Sequence, residues 1–232
     1  MRIVQAGARP LLWAALIAAL VAEILLNGTL RPLRPVIGEL PPPPSAGSLA
    51  AQSLGDRQFL FRVNALWLQD FGDGGGRLKP LRDFDYTRIV GWLRAVDDLD
   101  RRSQAVFVLG TQFFGALTDP ASFREKVKLI ADYFEQAGMA DPAGRWPWLS
   151  WAASTIAHRV KDPALAQRTA EDILSLRDDK DVPDWLPLLS IPLLQLSGDW
   201  GAVNRLSADP DMIARRRRAL ETQRRMMGDN RP

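Results

Sequence analysis

Along most of the chain apolar residues return at intervals of three and four, the spacing that gathers them on one face of an α-helix. After Asp85-Tyr86-Thr87, the residues Ile89, Val90, Trp92, Leu93, Val96 and Leu99 form one such stripe. Phe123, Val127, Ile130 and Phe134 form a second, and Leu165, Thr169, Ile173 and Leu174 a third. The stretch after Arg101-Arg102-Ser103 carries Val106, Phe107, Leu109, Phe113 and Phe114, too apolar for an exposed helix and too long for an ordinary strand. It is expected to lie buried between neighbours.

The polar residues between these stripes mark where helices begin. Asp-Pro stands at Asp119-Pro120, Asp141-Pro142, Asp162-Pro163 and Asp209-Pro210. An Asp carboxylate accepts from the unpaired amides of a first turn, and Pro at the first helical position gives up a donor that had no partner. Asp100-Arg101, Asp141-Pro142 and Asp181-Val182-Pro183 recur at about 40 residues, a period that suggests a helical solenoid. Each interval holds an apolar helix, a turn and an amphipathic helix. A shorter unit precedes them, with a helix expected from about Leu49 to Phe71 and its partner from Asp85 to Leu99. Between these two, Gly72-Asp73-Gly74-Gly75-Gly76-Arg77 has no following Gly-Lys-Ser/Thr and no preceding strand, so it is expected to be a flexible turn with Gly72 ending the first helix. Pro192 falls inside a helix of the last pair and is expected to kink or split it.

Trp148 to Val160 followed by Lys161-Asp162-Pro163-Ala164-Leu165-Ala166-Gln167-Arg168-Thr169-Ala170, and later Leu193-Leu194-Gln195-Leu196-Ser197-Gly198-Asp199-Trp200-Gly201-Ala202, carry a resemblance. Both resemble the unit of the tetratricopeptide-like superfamily: a first helix, a tight turn with Gly-Asp or its equivalent, and a second helix opening with small residues. The similarity covers residues 49–208, with a period nearer 40 than the family's 34. It implies an all-α fold, a right-handed tetratricopeptide-like solenoid of about three to four helix pairs, and work done by binding proteins.

Ahead of this domain, Leu11 to Leu26 is apolar apart from Glu23. Pro10 to Leu30 supplies about 20 residues between Arg9 and Arg31, enough to span a hydrocarbon core as a single transmembrane helix. A cleaved signal peptide is the competing reading, with Arg2 and Arg9 as its basic region, but Leu20 stands two positions before Ala22 where a cleavage site wants a small residue. The division expected is thus a tail at 1–9, an anchor at 10–30, a proline-rich linker at 31–48, the helical domain, and a basic helix and tail at 209–232. Pro41-Pro42-Pro43-Pro44 favours an extended, semi-rigid spacer. A long domain following a first helix is expected outside the cytoplasm, so the location expected is the bacterial inner membrane with a periplasmic C-terminal domain.

Candidate chemistry is sparse. The chain has no cysteine and one histidine, His158, which excludes disulfides and leaves no ligand set for zinc. No catalytic, cofactor or metal residues are expected, and no small-molecule substrate. His158 shares a face with Trp151 and is expected to be partly buried, pairing with a carboxylate such as Asp162. Asp97, Asp98 and Asp100, and Asp178, Asp179 and Asp181, fall at helix ends beside Arg or Lys and are expected to be solvated. Trp148 and Trp151 are expected in the core, while Arg145 and Trp146 are candidates for a partner-binding anchor. Glu23 is a candidate contact to a partner's membrane helix, or a carboxylate near the interface. Arg215, Arg216, Arg217 and Arg218 form the last candidate, fitted to anionic lipid, an acidic partner or nucleic acid, or else a solvated cap on the stack. A net charge of only +3 argues against a nucleic-acid-binding body. Together these readings describe a membrane-anchored scaffold or assembly factor for a membrane or periplasmic complex. The alternatives are a permanent accessory subunit of a larger complex and, from another class, an enzyme on a helical toroid or solenoid.

Overall fold

The computed structural model describes residues 5–30, 40–71, 73–74, 77–78, 80–116 and 123–228. Its architecture is all-α. Eleven α-helices run α1 Gln5–Leu30, α2 Ala46–Ser53, α3 Arg57–Asp70, α4 Tyr86–Leu99, α5 Ala105–Val108, α6 Arg124–Ala140, α7 Pro142–Thr155, α8 Pro163–Ser175, α9 Ser190–Ser197, α10 Trp200–Ala208 and α11 Pro210–Gly228. Two of them continue as π-helical turns, α5 through Leu109–Phe114 and α7 through Ile156–Val160.

The Asp signals act as their chemistry requires. Asp85 accepts from the amides of Thr87 and Arg88, Asp141 from Gly144, Asp162 from Leu165 and Asp199 from Ala202, each satisfying a first-turn donor. Asp209 accepts from Asp211 as α11 begins. Gly198 ends α9 with φ 84, a left-handed conformation open to glycine without a Cβ penalty. Asp119-Pro120 lies outside the described residues; α6 begins at Arg124, with Phe123 at its N-cap.

Expectations fail at four places, each for a local reason. The helix expected over 49–71 is two, because Leu54 and Gly55 take positive φ and Asp56 caps a fresh start by accepting from Phe59. The glycine-rich turn contains a two-residue hairpin, β1 Asp73–Gly74 pairing β2 Arg77–Leu78; the expected end at Gly72 lies outside the described residues, and α3 stops at Asp70. Pro192 splits nothing, since it sits in the first turn of α9, where no donor is missed, and a 3-10 turn at Leu186–Leu189 precedes it. The prolines Pro41 to Pro44 do not stand free as a spacer. Leu40 is 2% exposed, its carbonyl accepts from Arg88, and the Pro41 carbonyl accepts from the Trp92 indole. A Cβ on Gly91 would meet the Pro43 ring at 2.7 Å, so the proline run lies along α4 as part of the folded body.

Helices pack on neighbours close in sequence: α3 on α4, α4 on α6, α6 on α7, α8 on α9 and α9 on α10. The closest packing joins the second helix of one sequence unit to the first helix of the next, α6 with α7 and α8 with α9. Gly138 permits the first of these, since a Cβ there would lie 2.5 Å from Leu149. The buried core follows the chain as two large successive clusters and a small third one of Leu149, Leu176, Val182 and Leu186. One large cluster runs from Leu40 through the α4 stripe to Trp148, and the other from Phe123 through α8 to Val203. All six residues of the α4 stripe are buried.

In α1 every side chain from Trp13 to Leu25 is exposed, Trp13, Leu16, Ile17, Leu20, Val21, Ile24 and Leu25 among them. That stretch is about 20 Å long, short of the ~30 Å of a hydrocarbon core. Among the described residues, no helix is long and apolar enough to cross a membrane.

Candidate functional site

The first candidate anchor turns inward. Helix α7 is broken at Arg145, whose φ of −126° and ψ of 19° are not helical, two residues before Pro147, which has no amide to give the preceding turn. The break aims the guanidinium at Asp97 on α4. Nη1 donates to Oδ2 at 2.7 Å, Nη2 donates to Oδ1 at 2.8 Å, and Nη2 also donates to the Arg101 carbonyl. The Arg145 guanidinium lies over the Trp148 ring, 4.3 Å from its centroid. The two side chains are 6% and 8% exposed. Asp97 is thus no solvated helix-end acid, because it faces Arg145 of α7 from the last turn of α4; Asp98 does stay exposed, as do Asp178, Asp179 and Asp181.

Trp146 likewise packs instead of projecting. It meets Trp185 edge to face at 5.7 Å beside Leu149, Leu176, Val182 and Leu186. Trp148 is fully buried, donates to Gln104, and stacks with Phe107 at 5.7 Å. Trp151 is half-buried against Phe134.

Outside the Asp97–Arg145 pair opens a polar cleft of about 400 Å³, lined by Arg94, Asp98, Arg101, Tyr133, Gln136 and Asp141 among others. Its charges are largely answered from within: Arg101 pairs with Asp98 at 2.7 Å and Arg94 donates to Gln136. The Tyr133 hydroxyl is buried with no hydrogen-bond partner among the described residues, and burial, then the Asp97 charge, push its pKa up. The cleft can form hydrogen bonds. Its lining holds no histidine, serine or threonine.

A second buried acid lies at the contact of α6 with α8. Glu135 is 2% exposed and meets Arg168 at 3.1 Å, but Arg168 also pairs with Asp132. Burial, together with a hydrogen bond to the Asp172 carboxyl, pushes the Glu135 pKa up to about 7. No sequence feature set Glu135 apart from the other acids of the amphipathic helices; its position on the apolar side of α6, one residue after Phe134, was the available signal.

His158 is exposed and Asp162 is not its partner. The wider π-helical turn carries His158 out of the register that put it below Trp151, while Asp162 caps α8 and pairs with Lys128. No group of residues able to hold a metal ion occurs among the described residues. Glu23 is exposed on α1.

The arginine run of α11 divides by helical phase. Arg215, whose side chain is 12% exposed, donates to Asp184 at 2.7 Å, to Asp211 at 2.7 Å and to the Arg177 carbonyl. Arg218 reaches the other Asp184 oxygen at 2.7 Å, and Arg177 bridges Asp209 and Asp211. Both arginines therefore fasten the helix to the segment before the Leu186 turn. Arg216 and Arg217 are exposed and make no ion pair among the described residues. The structure parts the first two candidates, sending Arg145 to Asp97 and Trp148 and Trp146 to Trp185, and brings Arg215 and Arg218 together on Asp184. Comparison of the chain with family models, with curated protein sequences and with solved structures finds no match to any of them.

Proposed function

We propose that this chain is a membrane-anchored helical-repeat scaffold that holds protein partners at a membrane surface. The observation that carries this reading is the apolar helix α1, 26 residues long, exposed at every residue from Trp13 to Leu25 and followed by a stack of helices. The described side chains from Trp13 to Leu25 cover about 20 Å, and the apolar sequence from Pro10 to Leu30 would carry the span to the ~30 Å of a hydrocarbon core. The contiguous apolar surface it presents would be costly in water. Packing between neighbours in sequence, and a core that extends along the chain, support a right-handed tetratricopeptide-like solenoid whose exposed surface binds a peptide or a helix. We place the anchor in a bacterial inner membrane and the helical domain in the periplasm, and we assign the domain no enzymatic role.

Alkaline extraction of membranes, protease treatment of intact spheroplasts and crosslinking test this reading in turn. The protein is expected to stay in the membrane at high pH, to lose its helical domain to protease added outside, and to crosslink to other membrane or exported proteins. Release into the alkaline supernatant would remove the anchor from the reading. Glu23, exposed on α1, favours a second reading in which α1 pairs permanently with a partner's membrane helix as an accessory subunit. Extraction in mild detergent separates the two: a scaffold comes out alone as well as in complexes, an accessory subunit always with its complex.

A further inference from the structure

We infer that the outward face of α11 is a second membrane contact, recognising the anionic headgroups of phospholipids. The inference rests on the anchored reading for its geometry but has its own chemistry. Only Met212 of α11 is buried, and Arg215 and Arg218 turn one face of the helix onto the body. On the opposite face Ile213, Leu220 and Met227 recur every seven residues, all exposed. At 100° per residue they fall within about 40° of one another, with Arg216, Arg217 and Arg224 immediately beside them. All three arginines are exposed and without an ion pair among the described residues, and Glu221 is the acid nearest this face.

An apolar seam bordered by arginines is the pattern of a helix lying in a bilayer interface, with the seam at the acyl boundary and the guanidinium groups at the phosphates. A solvated cap does not require the seam. A nucleic-acid contact does not use it. The connection to α1 also bounds the distance: residues 31–39 join Leu30 to Leu40, so an anchored α1 holds Leu40, on α4, within about 35 Å of its end and confines the folded body to the neighbourhood of the membrane. Anionic lipid is then the partner present at high effective concentration.

The test uses the full chain, which has no cysteine, with Leu220→Cys carrying an environment-sensitive dye. Vesicles of phosphatidylcholine alone are compared with vesicles containing phosphatidylglycerol. Flotation with neutral vesicles that survives high salt reads α1, and the dye reads α11. The expected result is flotation with both, together with a blue shift confined to phosphatidylglycerol and reversed by salt. The equilibrium for dye burial is expected to weaken about fivefold for each of Arg216→Gln, Arg217→Gln and Arg224→Gln.

Flotation with both vesicles while the dye stays in water overturns the inference and leaves the anchor standing. Flotation only with phosphatidylglycerol does the reverse. A blue shift of equal size in neutral vesicles, unmoved by the arginine replacements, overturns headgroup recognition. So does a dye response to an acidic peptide or duplex DNA in place of the phosphatidylglycerol vesicles.

Discussion

Arg145 and the run from Arg215 to Arg218 differ in what their surroundings ask of an arginine. Arg145 is one residue at a helix break, sealed against Asp97 with its donors taken up by a carboxylate and a carbonyl. The α11 run is four residues on a continuous helix, so its side chains cannot share an environment: two close on Asp184 and two face outward. A backbone break gives a single residue a direction of its own, whereas helical phase distributes a run around the axis. The lesson is that an arginine beside tryptophan is as readily a buried strut as an exposed anchor, and that a block of like charge need not have one role.

The largest effect separating these regions is expected from Arg145→Ala, which leaves the Asp97 carboxylate buried and unpaired. A loss of about 3–5 kcal/mol in denaturant unfolding is expected, with Asp97→Ala similar and the double variant less damaging than the sum. An Arg145→Ala protein as stable as its parent would return Arg145 to the surface.

Glu135 sharpens the contrast, being a buried acid that shares its arginine. Asp132, Glu135 and Asp172 face one cation, Arg168, across α6 and α8; Arg94 from α4 is taken by Gln136, and α7 brings Arg145, which is taken by Asp97. The Glu135 pKa is about 7 in the folded protein against 4.5 ordinarily, so between these values the folded state holds a proton that the unfolded chain has released. Stability from this group is therefore full below about pH 4.5 and declines as pH rises to about 7, by no more than about 1.4 kcal/mol per pH unit. Glu135→Gln is expected to flatten that part of the profile, measured by unfolding at a series of pH values. An unchanged profile would place the proton elsewhere.

A smaller effect is expected within α11. Arg215→Gln removes charged hydrogen bonds to Asp184 and Asp211 and should cost about 1–2 kcal/mol, with faster amide exchange in the first turns of α11. Smallest of all, Arg216→Gln with Arg217→Gln should stay within about 0.5 kcal/mol of the parent. Equal costs for the two substitutions would mean that the run acts as one solvated block after all.

Much of the local structure was legible because its causes are local. Asp at an N-cap, Pro after it, and apolar residues at three and four act within one turn, so the starts of α4, α7, α8, α10 and α11 and the buried stripe of α4 follow from the sequence. Trp148 was legible as core by the same periodicity, with Trp151 half-buried against it. The break between α2 and α3 was written in Gly55-Asp56, the same Gly-Asp signal that was read at Gly198-Asp199.

The candidate site was less legible. Arg145 and Trp146 were found by composition, but their inward direction depends on a break at Arg145 and on partners 48 residues and more than 30 residues away in Asp97 and Trp185. Asp97 and Glu135 resemble the other acids of their helices, and only packing removes them from water.

What the sequence by itself determined is a set of helices, their starting points, the faces they bury, and an apolar N-terminal segment poor in charge. What only the tertiary structure decided is which charges went inside, that Pro41 to Pro44 lie along α4, and that the arginines of α11 part company. Helix propensity and capping are settled within a turn of chain. The partner of a charge, or the surface that receives a proline run, is settled by whatever remote segment packing brings within about 3 Å, and no local pattern encodes that choice.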